Sequence, residues 1–323
     1  MASPATLERL ATYVPTPVAQ VVYQSPETFP EHSGPRRFPA AILFSDISGF
    51  SQLTENFQKI EAGTPGEARL AATGAEELMF LINRYFSALI EISRQFHGQV
   101  VKFSGDALTI LFPADEVDLA TAVRRAGECA LAMQAKMSDF TVVKTSRGSA
   151  SLSMKVGVGA GTLLTCSVGG ELNRWEYVVA GEPITEMAVA EQGAEPGQIV
   201  LGATAWHAAS EYLDGRLLPT GNLMQLLAVR EPLPLSEPTR LDWTKLTPEQ
   251  QKAAAQARQL YVPGAIKARM DAQAEWLAEL RRMSIVFVGI GGLDYEASDA
   301  AERLQRFLQT AQKVLYRYEG SLN

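Results

Sequence analysis

Apolar and polar positions follow two periods along this chain, and the switches between them outline its elements. Residues 40–46 (AAILFSD) are apolar on both faces, which predicts a strand in the middle of a sheet. Ser48 and Gly49 make the turn after it. A helix is expected from about residue 50, with Leu53, Phe57 and Ile60 on one face. EAGTPGE at 61–67 breaks that pattern. A long helix is predicted over 69–96, where Leu78, Ile82, Phe86, Leu89 and Phe96 mark the apolar stripe. His97-Gly98 ends it, with Gly98 near the position that favours a left-handed residue. Residues 99–104 and 107–112 read as strands joined by a tight turn at Ser104-Gly105-Asp106. Helical period returns over 116–139, with Val117, Ala120, Val123, Ala130 and Met133 inward. LSMKVGVGAG and TLLTCSVG, within 151–168, read as two strands, and WEYVVA (175–180) as another. Pro183 suits the first turn of a helix. QIVL (198–201) reads as a strand and 203–210 as a short helix. The resulting order, β-α-α-β-β-α-β-β-α-β, predicts an α+β fold, a mostly antiparallel sheet with helices packed on it.

The flanks read differently. Residues 1–38 mix a short helical pattern (Leu7, Leu10) with Pro15, Pro17, Pro30 and Pro35, and are expected to form an arm lying on a domain that spans 39–227. Residues 228–280 open with four prolines among polar residues and are read as a linker and a second arm. Then the chain repeats itself. Leu260-Tyr261-Val262-Pro263 echoes Thr12-Tyr13-Val14-Pro15, MSIVFVGIGG (283–292) echoes AAILFSDISG, and Glu319-Gly320 echoes His97-Gly98 after a second helical stretch at 297–317. Residues 281–323 are therefore read as the start of a second, truncated copy, and the chain as a fragment or the product of a truncated gene.

Composition narrows the function classes. Nearly half the residues are apolar (46%), enough for an ordinary core. The net charge of −7, with acids and bases interspersed, argues against nucleic-acid binding. No early apolar run follows a basic start, so no signal peptide is expected, and LMFLI at 78–82 is far too short to span a membrane. Cys129 and Cys166 lack metal or redox spacing and fit a reduced, cytoplasmic compartment. His32, His97 and His207 lie too far apart in sequence for a His-based zinc site, and no G-x-S-x-G accompanies them for a Ser-His-Asp triad.

Two aspartates stand out. Asp46 ends the first strand and Asp106 sits at the hairpin tip, sixty residues later. On neighbouring strands they would form an acidic pocket, and such a pocket suits a hard divalent cation that brings phosphates with it. Plainer readings stay open: Asp46 as the N-cap of the helix at 50, Asp106 as ordinary turn chemistry, Lys102 as a solvated strand lysine. Gly157-Val158-Gly159-Ala160-Gly161 is not a dinucleotide loop, because a strand rather than a helix follows it. These glycines are read as places of close backbone approach.

Phe44-Ser45-Asp46-Ile47-Ser48-Gly49-Phe50, Lys102-Phe103-Ser104-Gly105-Asp106-Ala107-Leu108 and Val179-Ala180-Gly181-Glu182-Pro183 together resemble the class III nucleotidyl cyclases. The resemblance is greatest to the soluble, bicarbonate-responsive adenylyl cyclase group, whose cyclase domains come in tandem. It implies a ferredoxin-like cyclase domain plus a partial second copy. It implies conversion of ATP, or of GTP, to the cyclic nucleotide and pyrophosphate with two Mg²⁺ ions, which Mn²⁺ can replace. By the same resemblance Asp46, the Ile47 carbonyl and Asp106 hold the metals and are catalytic. Ser48, Gly49, Phe50 and Gly105 meet the triphosphate, and Lys102 and Val179 line a purine or bicarbonate pocket. The chain also departs from the family. Thr185 and Val189 stand where self-sufficient cyclases carry Asn and Arg, Ala188 where the bicarbonate pocket has an arginine, and Gly289 where the second copy would need its Asp. The implied protein is thus a metal-donating half that needs a complementary cyclase domain, and residues 1–323 alone are expected to be nearly inactive. The alternatives are a silent nucleotide- or anion-binding pseudocyclase and an interaction module.

Overall fold

β1 (Arg36–Ser48) is the spine of the molecule: Ala40, Ala41, Ile42 and Leu43 are all fully buried, so both of its faces lie under other layers. The computed structural model describes residues 14–27, 34–49, 65–145, 148–219, 221–235, 240–262, 284–318 and 320–322. The expected helix near residue 50 lies outside them.

After β1 come α1's successors in order, α1 itself (Thr16–Gln24) preceding the sheet. The long helix α2 (Pro65–Gln95) leads into the hairpin β2 (Gln99–Ser104) and β3 (Ala107–Pro113). The Asp118 carboxylate accepts the Thr121 N–H at 2.7 Å and starts α3 (Leu119–Lys136). Short strands β4 (Val143–Thr145) and β5 (Gly148–Ala150) pair only with each other. β6 (Ser153–Gly169), β7 (Trp175–Ala180), α4 (Glu182–Gln192), β8 (Ile199–Leu201) and α5 (Ala203–Ala209) follow, then β9 (Leu213–Leu217) and β10 (Met224–Val229). The sheet runs β2-β3-β1-β6-β8-β10-β9, with β7 on the far end of β6. Among the described strand pairs only β6–β8 is parallel. The α+β class is as expected.

Several expectations change. The two strands read within 151–168 are one, β6, seventeen residues long, pairing with β1 from Ser153 to Thr165. Gly161 (φ +139°) lets it bend without breaking. The glycine run does mark close approach: a Cβ on Gly157 would lie 2.3 Å from the Met187 carbonyl, and one on Gly159 2.2 Å from that of Pro183. α4 is thereby seated directly on β6. The end of α2 uses His97 (φ +61°) as its left-handed residue, and Gly98 donates to the Ser93 carbonyl at 2.7 Å. Gly98 is needed for space instead, since a Cβ there would strike Ile110 at 2.7 Å.

The sheet has a helix layer on each side. α2, α3 and α5 cover one face around Leu43, Leu108, Ile110, Val156 and Val158. α4 covers the other, around Ile42, Leu163 and Met187. Residues 228–280, read as a linker and a second arm, carry regular structure at both ends of their described part. β10 runs to Val229, and α6 (Pro248–Gln259) begins in a reciprocal Thr247–Gln250 capping box. α1 and α6 then share a small core with Trp243, Tyr261 and Val262, against Trp175 and Tyr177 of β7. Val14 and Val262, from the two echoing Tyr-Val-Pro segments, meet in that core. The run that echoes β1 forms no strand over 284–290. The following helix, α7 (Ala300–Arg317), packs on the outer half of β6.

Candidate active site

Strand pairing alone brings the two aspartates near each other. β1 lies between β3 and β6, and β3 carries the hairpin whose tip is Gly105-Asp106. Ser104 pairs with Ala107, so the loop is two residues, with Gly105 at φ +65° in its first position. Few other residues tolerate that conformation. Asp46 is opposite Lys155 in the β1–β6 register, two residues beyond the Phe44–Gly157 pair on which α4 rests. Asp46 therefore belongs to the α4 face of the sheet.

The electrostatics show an accumulation of negative charge. Burial lifts the Asp46 carboxyl above the usual carboxylate range, and Asp106 and Glu191 push it further. Lys155 and the Ile47 N–H pull the other way. Burial likewise raises Asp106. Their field reaches Tyr85, whose phenol is raised mainly by burial and also by both aspartates. Beneath the hairpin, on the α2 side, lies an open cleft with about 290 Å³ of empty space, walled by Ile47, Leu81, Tyr85, Phe86 and Asp106. Its walls are almost wholly apolar, so the polar chemistry lies at its acidic rim.

Among the described residues, His, Cys, Asp and Glu nowhere gather in a group of three fit to hold a metal. Two half-buried carboxylates beside a strand carbonyl are nevertheless the donor set that Mg²⁺ accepts when phosphates and waters complete its shell. The repulsion recorded at Asp46 is what a divalent cation would relieve.

The other predicted residues are placed as follows. Ser48 pairs with Ser153 at the end of β1. Gly49 (φ +98°) turns the chain where a Cβ would lie 2.4 Å from the Ser151 carbonyl. Phe50 lies outside the described residues. Lys102 is exposed on β2, and Val179 packs on β7 beside the cluster of Phe38, Ala40 and Ile42. Lys102 acts electrostatically on Glu176 of that same strand. On α4, Thr185 and Val189 are exposed and Ala188 is half-buried, a face with no cation.

Sequence reasoning passed over Lys155 and Glu191. The Lys155 ammonium pairs with the Glu191 carboxylate at 2.6 Å, and both side chains are largely buried (24% and 11% exposed). A lone lysine inside the apolar run from Met154 to Val158 was a visible signal. Glu191, near the end of a helix, gave none.

The sequence profile of a family described as "Adenylate and Guanylate cyclase catalytic domain" matches residues 35–214, more than half of the chain. Adenylate cyclase type 10 of Rattus norvegicus is 25% identical over 319 residues, 91% of this chain and 19% of its own length. The Homo sapiens protein of the same name is 23% identical over 340 residues, 98% of this chain and 20% of its own. The chain thus spans about a fifth of these curated relatives. A bacterial light-regulated adenylyl cyclase of known structure covers 79% of this chain, and the match takes in 65% of that chain, with a TM-score of 0.50 and 19% identity, a likeness of fold.

Proposed function

This chain belongs to the adenylate and guanylate cyclase catalytic domain family, and on that premise we propose that it supplies the metal-donating half of a site converting ATP to cyclic AMP and pyrophosphate. The observation that supports this reading is the pair of half-buried acids, Asp46 near the end of β1 and Asp106 at the tip of the β2–β3 hairpin, close enough that the charge of Asp106 raises the Asp46 carboxyl. Asp46, the Ile47 carbonyl and Asp106 would hold Mg²⁺ or Mn²⁺. When bound, such ions lower the pKa of an attacking hydroxyl and neutralise a leaving pyrophosphate. The rest falls to the chain. The Ser48-Gly49 turn and Gly105 let backbone approach phosphate without side-chain obstruction, and Lys155 is a cation on the α4 face whose charge acts on Asp46. Lys102 and Val179 are the residues we assign to a purine or bicarbonate pocket. ATP is preferred over GTP because two relatives that match more than nine-tenths of this chain are named adenylate cyclases. Cyclic AMP formation belongs in the cytoplasm, where ATP is held and where Cys129 and Cys166 stay reduced.

The other half of the site has to come from a second cyclase domain. Exposed Val189 cannot stabilise charge growing at the α-phosphate, and Thr185 is a poor substitute for an amide that orients the ribose. Residues 281–323 are read as the beginning of such a domain. The same Val189, with Ala188, favours one rival, a nucleotide-binding pseudocyclase that regulates a partner.

The test is cyclic nucleotide formation from ATP and GTP with Mg²⁺ or Mn²⁺, by this chain alone and by a version extended through a complete second cyclase domain. Activity is expected only in the extended form, and the Asp46→Ala, Asp106→Ala double variant should lose at least about a hundredfold. Brisk turnover by residues 1–323 alone would overturn the half-site reading. Tight Mg²⁺-ATP binding with no product from either form would install the pseudocyclase.

A further inference from the structure

Lys155 stands directly across from Asp46 in the β1–β6 ladder, yet it does not pair with it. Opposite charges at such a position lie with Cβ atoms about 4.5–5.5 Å apart and ordinarily attract each other into contact. Here the ammonium turns the other way, to Glu191 at 2.6 Å. Nothing in the strand forces this. The cause is in α4: its backbone is pressed onto Gly157, where a Cβ would come within 2.5 Å of the Glu191 amide nitrogen. Helix and strand are therefore locked together at the point from which Glu191 reaches Lys155. Glu186, five residues earlier, reinforces the seat by accepting the Ala160 N–H at 2.8 Å and the N–H of Thr204. Glu191 is itself buried and its charge bears on Asp46, and a buried carboxylate beside another acid is costly unless a cation answers it.

We propose that Glu191 is a positioning residue that holds Lys155 off Asp46 and so keeps the Asp46 carboxylate open to a metal ion. This rests on the metal-site reading of Asp46 and Asp106 given above. Without Glu191, Lys155 loses its partner and swings the short distance to Asp46, where the ammonium occupies the oxygens a cation would use. With Glu191, the cation remains on the α4 face beside the acids, available to a phosphate, and Asp46 stays unpaired. The pairing also ties the acid site to α4, the helix whose exposed side carries Thr185 and Val189.

The experiment measures Mn²⁺ binding by the full 323-residue chain, by paramagnetic resonance of free Mn²⁺, with no nucleotide and with no reaction to follow. Glu191→Gln is nearly isosteric and should weaken Mn²⁺ binding roughly five- to tenfold. The Glu191→Gln, Lys155→Met double variant removes the competitor as well, and should return to within about twofold of the parent. Recovery on removing a second residue is something a merely structural role for Glu191 would not produce. Unchanged binding in Glu191→Gln would overturn the proposal, as would a double variant as weak as the single one. Asp46→Asn, Asp106→Asn separates the two levels. If this variant binds Mn²⁺ like the parent, the metal site itself is wrong and the proposal falls with it. If it abolishes binding while Glu191→Gln changes nothing, the metal site stands and only the role of Glu191 fails.

Discussion

Two glycines govern where the acids point, and they do so by different physics. Gly105 holds φ +65° in the hairpin, but a Cβ there would meet nothing within 4 Å. Gly49 holds φ +98° and a Cβ there would lie 2.4 Å from the Ser151 carbonyl, a backbone atom that cannot step aside. Alanine at Gly105 pays only the backbone penalty, on the order of 1 kcal/mol. Alanine at Gly49 carries that penalty plus an overlap that has to be relieved by moving the chain beyond β1, so a loss of about 2–4 kcal/mol is expected. Urea unfolding of the two variants checks the order, and a Gly105→Ala loss exceeding that of Gly49→Ala would refute the geometry of both turns. Ser45, between them and the core, is fully buried with its hydroxyl unpartnered.

At the scale of elements, β7 carries a carboxyl whose ionisation works against folding. Burial lifts Glu176 from 4.5 to about 7, with Arg174 and Lys102 pulling it down. The folded chain thus holds this proton more tightly than the unfolded one. The stability tied to it is fully present below about pH 4.5 and is lost as pH rises to about 7. Glu176→Gln should match the parent at pH 4.5 and exceed it by on the order of 2 kcal/mol at pH 8. Denaturant midpoints at the two pH values decide it, and an equal gap at both would sink the assignment. Elements with local signatures were legible in the sequence. The both-faced apolar run of β1, the Gly-Asp hairpin and the Pro183 helix start each depend on a few adjacent residues, and they carried the Asp46–Asp106 pairing with them. What the chain hid was non-local. Gly161 reads as a strand break in sequence, and only pairing with β1 on both sides of it shows that β6 runs through. The Lys155–Glu191 pair joins two elements 36 positions apart, and no periodicity records it. The helix of α6 is hidden by its polar sequence, PEQQKAAAQARQ, while its burial comes from alanines against α1 and from Arg258 stacked on Trp243 at 4.3 Å.

At the scale of the whole molecule, the described residues of 281–323 form a helix and no strand. Over 284–290 the segment that echoes β1 holds Ile285, Val286, Phe287 and Val288 between 68% and 93% exposed. α7, by contrast, is docked with specificity. Ala300, Leu304 and Leu308 pack on Leu164, Cys166 and Val168, and the Gln305 amide both accepts from and donates to the Gly169 backbone at 2.9 and 2.8 Å. Gln312, fully buried two turns on, reads the same β6–β7 turn by donating to the Arg174 carbonyl at 3.1 Å. Arg37 of β1 fastens the approach to the helix through the Tyr295 and Ala297 carbonyls. This seat leaves a chemical reporter beneath it. Cys166 lies under α7 and Cys129 lies deep in α3, both buried as free thiols. Leu304→Asp removes about 2–3 kcal/mol of apolar burial and places a charge against β6, so the open population should rise ten- to hundredfold. Thiol labelling should follow it at Cys166 alone, with Cys129 as slow as in the parent. Parallel acceleration of both would mean that the variant loosens the whole domain. Equal, slow labelling of Cys166 in parent and variant would mean that α7 is not what shields it, and the outer half of β6 would then need another cover. The expected outcome makes α7 a separable layer, and a second cyclase domain that claims this helix for its own sheet would have to uncover Leu164, Cys166 and Val168 first.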